Sequence, residues 1–136
     1  MWKYKNKKIE SIEDVPEGAV GFVYEITHIP SGKKYIGKKV LVHRRTKPPL
    51  KGYKRKRVTY VESDWKTYYG SSDEVKQLLT ESSESKFKRE ILHFCDNKKT
   101  LSYLETKELF NRSVLENQDK YFNKNIQGKW YPKDTQ

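Results

Sequence analysis

Three side chains in this sequence carry groups that could do chemistry: the phenols of Tyr24 and Tyr35 and the carboxylate of Glu105. The two tyrosines flank a Pro-Ser-Gly segment at 30–32, whose glycine tolerates the positive φ of a tight hairpin turn. A two-residue turn there pairs Tyr24 with Lys39, and Tyr35 lies two pleats before Lys39 on the same face. The spacing therefore predicts that both phenol hydroxyls project from one side of a single hairpin.

The tyrosines also have a purely structural interpretation. Phe22, Tyr24 and Ile26 share one face of the predicted first strand. On this face the phenols would be core aromatics whose hydroxyls reach water. The pair alone favours that interpretation, so a functional one depends on the rest of the sequence.

Glu105 stands at an apolar position of a helix predicted over about residues 99–117. Leu101 and Leu109 lie on the same helical face, one turn before and after it. A carboxylate on that face is costly to bury unless it is ion-paired, hydrogen-bonded or bound to a cation. Two structural explanations stay open: a capping box between Ser102 and Glu105 at a late helix start, or a salt bridge with a lysine.

The other predicted elements follow from local patterns. Aromatic and β-branched residues favour strands around the turn and again at 87–95. Ser71 and Glu74 have capping-box spacing, which predicts the start of a short helix. The order predicts an α+β fold, with a small three-stranded antiparallel sheet flanked by helices, in a single domain over residues 1–136. The remaining assignments are a loosely packed lead-in at 1–17, a hairpin at about 20–40 and a loop at 80–85.

The composition points to a polyanionic partner. Of the 136 residues, 34% are hydrophobic and 35% are charged, and the formal net charge is +11. An excess of positive charge this large is typical of nucleic-acid-binding proteins. The single cysteine, Cys95, excludes an intramolecular disulfide and a Cys-rich zinc site, and its apolar neighbours predict a buried, inert thiol. Without a signal peptide or a membrane-length apolar run, we expect an intracellular, cytoplasmic protein that binds no membrane, in the host cytoplasm if it is virus-encoded.

A basic arm at about 41–60 follows the predicted hairpin. Pro48 and Pro49 interrupt it, it has no apolar periodicity, and five of the seven residues 51–57 are basic. We therefore expect an extended loop that either tracks a phosphate backbone or is simply solvated. The candidates for DNA contacts are Lys51, Lys54, Arg55, Lys56 and Arg57.

The sequence resembles the GIY-YIG nuclease family over about residues 19–126. Phe22-Val23-Tyr24 is a degenerate form of the first motif, and Tyr35-Ile36-Gly37 is an intact form of the second. Glu105, within Leu104-Glu105-Thr106-Lys107, matches the helical glutamate of the family. The chain looks most like small phage-type members, which include stand-alone homing endonucleases.

The resemblance implies a role for each candidate residue. Glu105 would hold one divalent ion, Mg²⁺ or Mn²⁺. Tyr24 would orient or deprotonate the attacking water, and Tyr35 would support that water. A role as base requires a nearby cation, because a free phenol has a pKa near ~10. The orienting asparagine would be Asn123 or, as an alternative, Asn125.

One part of the family pattern does not fit. The family places an arginine about ten residues after the second tyrosine, on a helix, and a His or Tyr one turn later. Arg45, with Arg44 beside it, has the right spacing for binding the scissile phosphate, but Pro49 stands one turn later. Prolines exclude a regular helix there. The alternatives are Arg55 or Arg57 for the arginine, and His43, Tyr60 or Tyr68 for the missing group.

Three functions remain open from the sequence. The first is a metal-dependent DNA endonuclease, which would need a homodimer, a larger complex or two successive events to cut both strands. The second is a nucleic-acid-binding protein that has kept the fold and lost cleavage. The third is an RNA-binding or ribosome-associated module, which the same basic and aromatic composition would suit.

Overall fold

Seven β-strands and two α-helices make up the protein in a computed structural model that describes all of residues 1–136. The two helices flank a central sheet, and the α+β class predicted from the sequence is confirmed. The strands are β1 Trp2–Tyr4, β2 Lys7–Ile9, β3 Gly21–His28, β4 Lys33–Val40, β5 Val42–Lys47, β6 Arg57–Glu62 and β7 Phe87–Cys95, and the helices are α1 Asp73–Glu81 and α2 Lys98–Asn111.

The central sheet has five strands in the order β2-β1-β7-β3-β4, so the prediction of three antiparallel strands is wrong. Strand β3 pairs antiparallel with both β4 and β7, whereas β1 pairs parallel with β7. The two additional strands lie in the segment expected to be a loose lead-in. Trp2 and Ile9, which are 1% and 3% exposed, anchor them in the core despite the surrounding lysines.

The β3–β4 hairpin has a different register from the predicted one. Its loop spans residues 29–32, closed by the Gly32 N–H, which donates to the His28 carbonyl at 2.8 Å. Tyr24 therefore lies opposite Gly37 rather than Lys39. The shift is two residues, and because side chains alternate with a period of two, it leaves every face unchanged. Tyr24 and Tyr35 accordingly share a face, as the sequence predicted.

Strand β3 is buried on both faces, and each face belongs to a different core. Phe22, Tyr24 and Ile26 pack in one cluster with Trp2 and Trp65. On the opposite face Val23 packs in a second cluster whose members include Leu101 and Leu109 of α2. Helix α2 thus covers one side of the sheet, whereas Val75 of α1 and the segment before it belong to the cluster on the other side.

Both helices begin at caps that the sequence analysis did not select. Ser72, not Ser71, caps α1, and its Oγ accepts the N–H of Val75. Asn97 caps α2, and its Oδ1 accepts the N–H of Thr100 at 2.8 Å. Helix α2 ends at Asn111 rather than 117 because Ser113 has a φ of 51°, which interrupts the helical conformation. Strand β7 has the bounds predicted for it.

Residues 42–62 form a two-stranded antiparallel sheet, which we call the basic ribbon. Strands β5 and β6 pair only with each other, from Val42 opposite Glu62 to Lys47 opposite Arg57. The extended loop predicted for this region is therefore wrong, and only residues 48–56 connect the two strands. The two prolines lie in the connecting loop, and the run Val58-Thr59-Tyr60-Val61 after them consists of residue types that favour a strand.

Neither α-helix has the length and apolar character that a helix needs to cross a membrane.

Replacing Trp2 with alanine should lower the free energy of unfolding by about 3 kcal/mol, the usual cost of emptying a buried indole site. The indole packs edge-on against Phe22 and Tyr24, and its N–H donates to the Trp65 carbonyl at 2.7 Å. Urea unfolding followed by circular dichroism would measure the change. Ile12→Ala, at a site 39% exposed, is the matched control and should cost less than about 1 kcal/mol. Equal losses of unfolding free energy in the two variants would show that residues 1–9 are loosely packed.

Candidate active site

Two glycines create the space that Tyr24 and Tyr35 occupy. A Cβ atom at Gly37 would lie within van der Waals overlap of the Tyr24 hydroxyl. A Cβ at Gly70 would lie 3.1 Å from the Tyr35 ring and 3.3 Å from the Tyr24 hydroxyl, and Gly70 also has a φ of +87°. The two rings thus sit where side chains at these positions would otherwise be, which brings their hydroxyl ends to the same region.

A third tyrosine joins them, and we call Tyr24, Tyr35 and Tyr68 the tyrosine cluster. The ring centroids of Tyr24 and Tyr35 are 6.2 Å apart, and those of Tyr24 and Tyr68 are 6.0 Å apart. The hydroxyl of Tyr35 lies 2.8 Å from Ser71 Oγ. Ser71 is available for this contact because Ser72 caps α1 instead. Of the three groups considered for the missing His or Tyr, Tyr68 is the one that lies in the cluster.

Glu105 lies in the middle of α2, between the buried Leu101 and Leu109. Burial is the main cause that raises the pKa of Tyr24 and of Tyr35, and the negative charge of Glu105 adds to the rise at both phenols. The capping explanation fails because the helix begins at Asn97. The salt-bridge explanation fails because Glu105 forms no ion pair. Lys38, whose positive charge lowers the pKa of Glu105, donates a hydrogen bond from its ammonium to Ser102 Oγ at 2.7 Å.

Burial makes negative charge unfavourable on Tyr24, Tyr35 and Glu105. It raises the pKa of Tyr24 well above its ordinary value, and it also raises the pKa of Tyr35. Burial likewise raises the pKa of the Glu105 carboxyl, and the charge and backbone amide of Lys38 offset only part of that effect. A cation bound among these oxygens would oppose all three shifts.

The donor set fits a hard divalent cation held by one protein carboxylate. Glu105 is half-buried and takes part in no ion pair of the structure. The chain has no group of three or more His, Cys, Asp or Glu side chains that could form a full protein cage. Mg²⁺ commonly binds through one or two carboxylates and keeps several waters, so a single carboxylate suits it.

Tyr68 is held in place by Arg89, a residue that the sequence analysis missed. The Arg89 guanidinium donates from Nη1 to the carbonyls of Lys66 and Tyr68, at 3.0 and 2.8 Å. It also stacks between the rings of Trp2 and Tyr69, at 4.6 and 4.2 Å from their centroids. Arg89 has no acidic partner and is 5% exposed. The signal in the sequence was an arginine at a core-facing position of a strand.

The structure does not bring Arg44 or Arg45 into the tyrosine cluster. Both are exposed on β5, opposite Tyr60 and Thr59 of β6. The basic ribbon also contains the alternative arginines, Arg55 and Arg57, and His43, a candidate for the missing His or Tyr. The cations beside the cluster are lysines: Lys38 acts on Glu105, and the Lys39 ammonium lies 4.0 Å from the centre of the Tyr68 ring.

Asn123 fastens β4 between Tyr35 and Gly37. Its Oδ1 accepts the N–H of Ile36 at 3.1 Å, and its Nδ2 donates to the Ile36 carbonyl at 2.8 Å. Both contacts are buried, and Asn123 is 5% exposed. Asn125, the alternative, accepts the N–H of Gly128 in an exposed turn. Asn123 therefore reaches the cluster through the backbone of β4.

Two clefts open beside the cluster. One, of about 440 Å³, runs past Tyr35, Ser71 and Asn123 to the start of α1. The other, of about 470 Å³, is lined by Tyr68 and Gly70 and shares Ser71 with the first. Ser71, which contacts the Tyr35 hydroxyl, therefore borders both clefts.

Asn123→Ala should lower the free energy of unfolding by about 2 kcal/mol or more, because it leaves the buried N–H and C=O of Ile36 without partners. Asn125→Ala is the matched control and should cost less than about 1 kcal/mol, since the amide it loses is exposed. Chemical denaturation of the two variants and the wild type would measure both values. If the two variants lost the same stability, the clamp on β4 would be refuted.

Comparison with known families agrees with this geometry. The chain matches a family model described as "Putative endonuclease segE, GIY-YIG domain" over residues 2–126. Neither curated proteins nor solved structures gave a match. The matched region includes β1 and β2 as well as the two tyrosine motifs, Glu105 and Asn123. The chain therefore belongs to the GIY-YIG nuclease family.

Proposed function

We propose that the protein is an endonuclease that hydrolyses phosphodiester bonds in DNA with one divalent metal ion, Mg²⁺ or Mn²⁺, held by Glu105. The observation that carries the proposal is Glu105, a half-buried carboxylate without an ion-pair partner whose charge acts on both Tyr24 and Tyr35. An acidic group in this environment lowers the stability of the fold, and titratable groups with perturbed pKa values concentrate at functional sites.

The metal site would contribute positive charge where phosphate hydrolysis needs it. A divalent ion at Glu105 supplies Lewis-acid polarisation of a phosphoryl oxygen. The carboxylate holds its position through α2, whose Leu101 and Leu109 are buried on either side. Lys38 and Lys39 border the cluster, and Lys38, which has no acidic partner and bonds only Ser102 Oγ, is our candidate for binding the phosphate in place of the family's arginine.

The tyrosines act as neutral phenols in the free protein. Because burial raises their pKa values, Tyr24 and Tyr35 keep their protons at neutral pH. Each hydroxyl can then donate one hydrogen bond and accept others, which allows it to hold and orient the attacking water. To act as a base, Tyr24 would first have to lose its own proton to solvent, and a bound cation nearby would favour that phenolate form by lowering the pKa of Tyr24.

Asn123 and Arg89 are positioning residues in this scheme. Asn123 fixes the β4 backbone beside Tyr35, and Arg89 fixes the backbone of Tyr68. Neither side chain touches the groups that react. A chain with one such site cuts one strand in each event, so cleavage of both strands takes two copies or two successive nicks.

The second candidate function is nucleic-acid binding without cleavage. The absence of an arginine from the cluster and the degenerate first motif, Phe22-Val23-Tyr24, favour it. It predicts that the protein binds DNA and leaves the strands intact in every divalent metal. The cleavage assay below therefore separates the two candidates.

Glu105→Gln should lower the rate of plasmid nicking in Mg²⁺ by about a thousandfold or more, since a metal ion contributes several kcal/mol to the transition state. Binding of the plasmid should persist. Mg²⁺ should raise the melting temperature of the wild type and leave that of Glu105→Gln unchanged. Glu116→Gln, which removes an exposed carboxylate, is the control and should behave as the wild type. Equal nicking by wild type and Glu105→Gln would end the assignment of Glu105.

Stability without metal should depend on pH through Glu105. The pKa of Glu105 is raised in the folded state, so the protonated carboxyl favours folding. This contribution to stability is complete below the unfolded-state pKa of about 4.3, and it is lost as the pH rises through the folded-state pKa and the buried group ionises. Glu105→Gln should therefore melt at the same temperature as the wild type in acid and at a higher temperature above pH ~7. Thermal unfolding of both proteins in EDTA across this range would measure the difference. A constant gap at every pH would contradict the burial of Glu105.

A further inference from the structure

The basic ribbon stands apart from the rest of the fold. Its strands, β5 and β6, have six residues each and pair only with each other. At its base the Ser63 N–H donates to the Leu41 carbonyl at 2.8 Å, and Val42 packs against the core. Beyond that base both faces of the ribbon lie outside the cores of the protein.

Most of the net charge of the protein lies in the ribbon. Residues 43–61 contain eight Lys or Arg and no Asp or Glu, in a chain whose formal net charge is +11. None of these eight takes part in an ion pair of the structure. Lysines elsewhere, such as Lys34 and Lys39, have acidic partners. The ribbon thus concentrates unpaired positive charge in one projecting element.

The ribbon also exposes side chains that usually pack. Val58 is 42% exposed, Tyr60 is 68% exposed and Val61 is 48% exposed. Isolated two-stranded hairpins are marginally stable in water, and aromatic and β-branched residues stabilise sheets by packing. The exposed apolar groups beside unpaired cations indicate that a polyanion with apolar surface covers them.

The two faces of the ribbon differ. Cross-strand register places three pairs on one face, which we call the Tyr60 face: Val42 with Glu62 at the base, then Arg44 with Tyr60 and Thr46 with Val58. The Glu62 carboxylate at the base accepts the indole N–H of Trp65. The opposite face contains His43, Arg45 and Thr59 with Lys47, Arg57 and Val61. His43 and Thr59 are half-buried, and Thr59 Oγ1 is enclosed without a partner. The Tyr60 face is therefore the more open of the two.

We propose that the basic ribbon enters the major groove of B-form duplex DNA with its Tyr60 face toward the base edges. Strands in a pair lie about 4.8 Å apart, and the major groove, about 12 Å wide, admits a two-stranded ribbon. The minor groove, about 6 Å wide, is too narrow, and the major groove of A-form RNA is too deep and narrow. Duplex DNA is therefore the substrate class, an inference that rests on the proposed function.

The side chains of the Tyr60 face suit base edges. An arginine such as Arg44 can bind guanine with two hydrogen bonds, and apolar groups such as those of Val58 and Tyr60 can contact the thymine methyl. The loop at 48–56 carries Lys51, Lys54, Arg55 and Lys56, which would bind the phosphates along the groove. The arm then does more than follow the backbone, because it presents groups that distinguish base pairs.

Binding measured in EDTA tests this without any dependence on cleavage. Fluorescence anisotropy would compare a DNA duplex, an RNA duplex and the single strands of one sequence. We expect the wild type to bind the DNA duplex at least about tenfold more tightly than the RNA duplex. Netropsin, which fills the minor groove, should leave binding unchanged, whereas methyl green, which occupies the major groove, should compete. Equal affinity for the two duplexes, or competition by netropsin, would overturn the proposal.

Paired variants test the face. Arg44→Ala with Tyr60→Ala should weaken duplex binding about tenfold or more, as expected for lost base contacts. Arg45→Ala with Val61→Ala removes the same charge and an apolar group from the opposite face, and should have a smaller effect. Equal losses would refute the orientation. Circular dichroism would establish that both variants keep the fold. If the wild type bound duplex as described and failed to nick it in Mg²⁺, the proposed function would fail and the groove proposal would stand.

Discussion

Tyr24 crosses from β3 to lie over Gly37 of β4, in space that a side chain at that position would fill. Much of the site depends on this close approach. It turns the hydroxyl of a core aromatic toward the edge of the sheet where Glu105 of α2 is found. Gly70 then accommodates both Tyr24 and Tyr35 from the other side, and Asn123 holds the intervening backbone at Ile36. The site is thus built by backbone proximity more than by side-chain contacts.

The same packing explains the electrostatics of the site. Placing phenols and a carboxylate where water is partly excluded raises the pKa of each, so the free protein favours their neutral forms. Lys38 and Lys39 lie at the border without neutralising Glu105 in an ion pair. The arrangement keeps a carboxylate available for a cation at some cost to the stability of the fold, a compromise often found where a protein performs chemistry.

The sequence predicted the features that depend on local pattern and period. Tyr24 and Tyr35 were placed on one face although the register was wrong by two residues, because an even shift preserves the face. Strand β7 and the position of Glu105 within a helix followed from periodicity. The strands at Trp2 and Ile9 could not be predicted locally, since their stability comes from packing against distant residues. Tyr68 was one of three candidates, and its tertiary packing against Tyr24, which no local pattern encodes, distinguishes it. Arg44 and Arg45 were assigned by spacing along the chain, which does not account for a ribbon inserted at that point.

The ribbon leaves and rejoins the body of the protein at neighbouring points, Leu41 and Ser63, which are joined by a backbone hydrogen bond. Its length can therefore change without altering the pairing of β4 or the start of α1. An element attached in this way can be lengthened, shortened or replaced as a unit, because both of its ends enter the body at one place. If the ribbon binds DNA as proposed, a change confined to this protrusion alters those contacts and leaves the tyrosine cluster as it is.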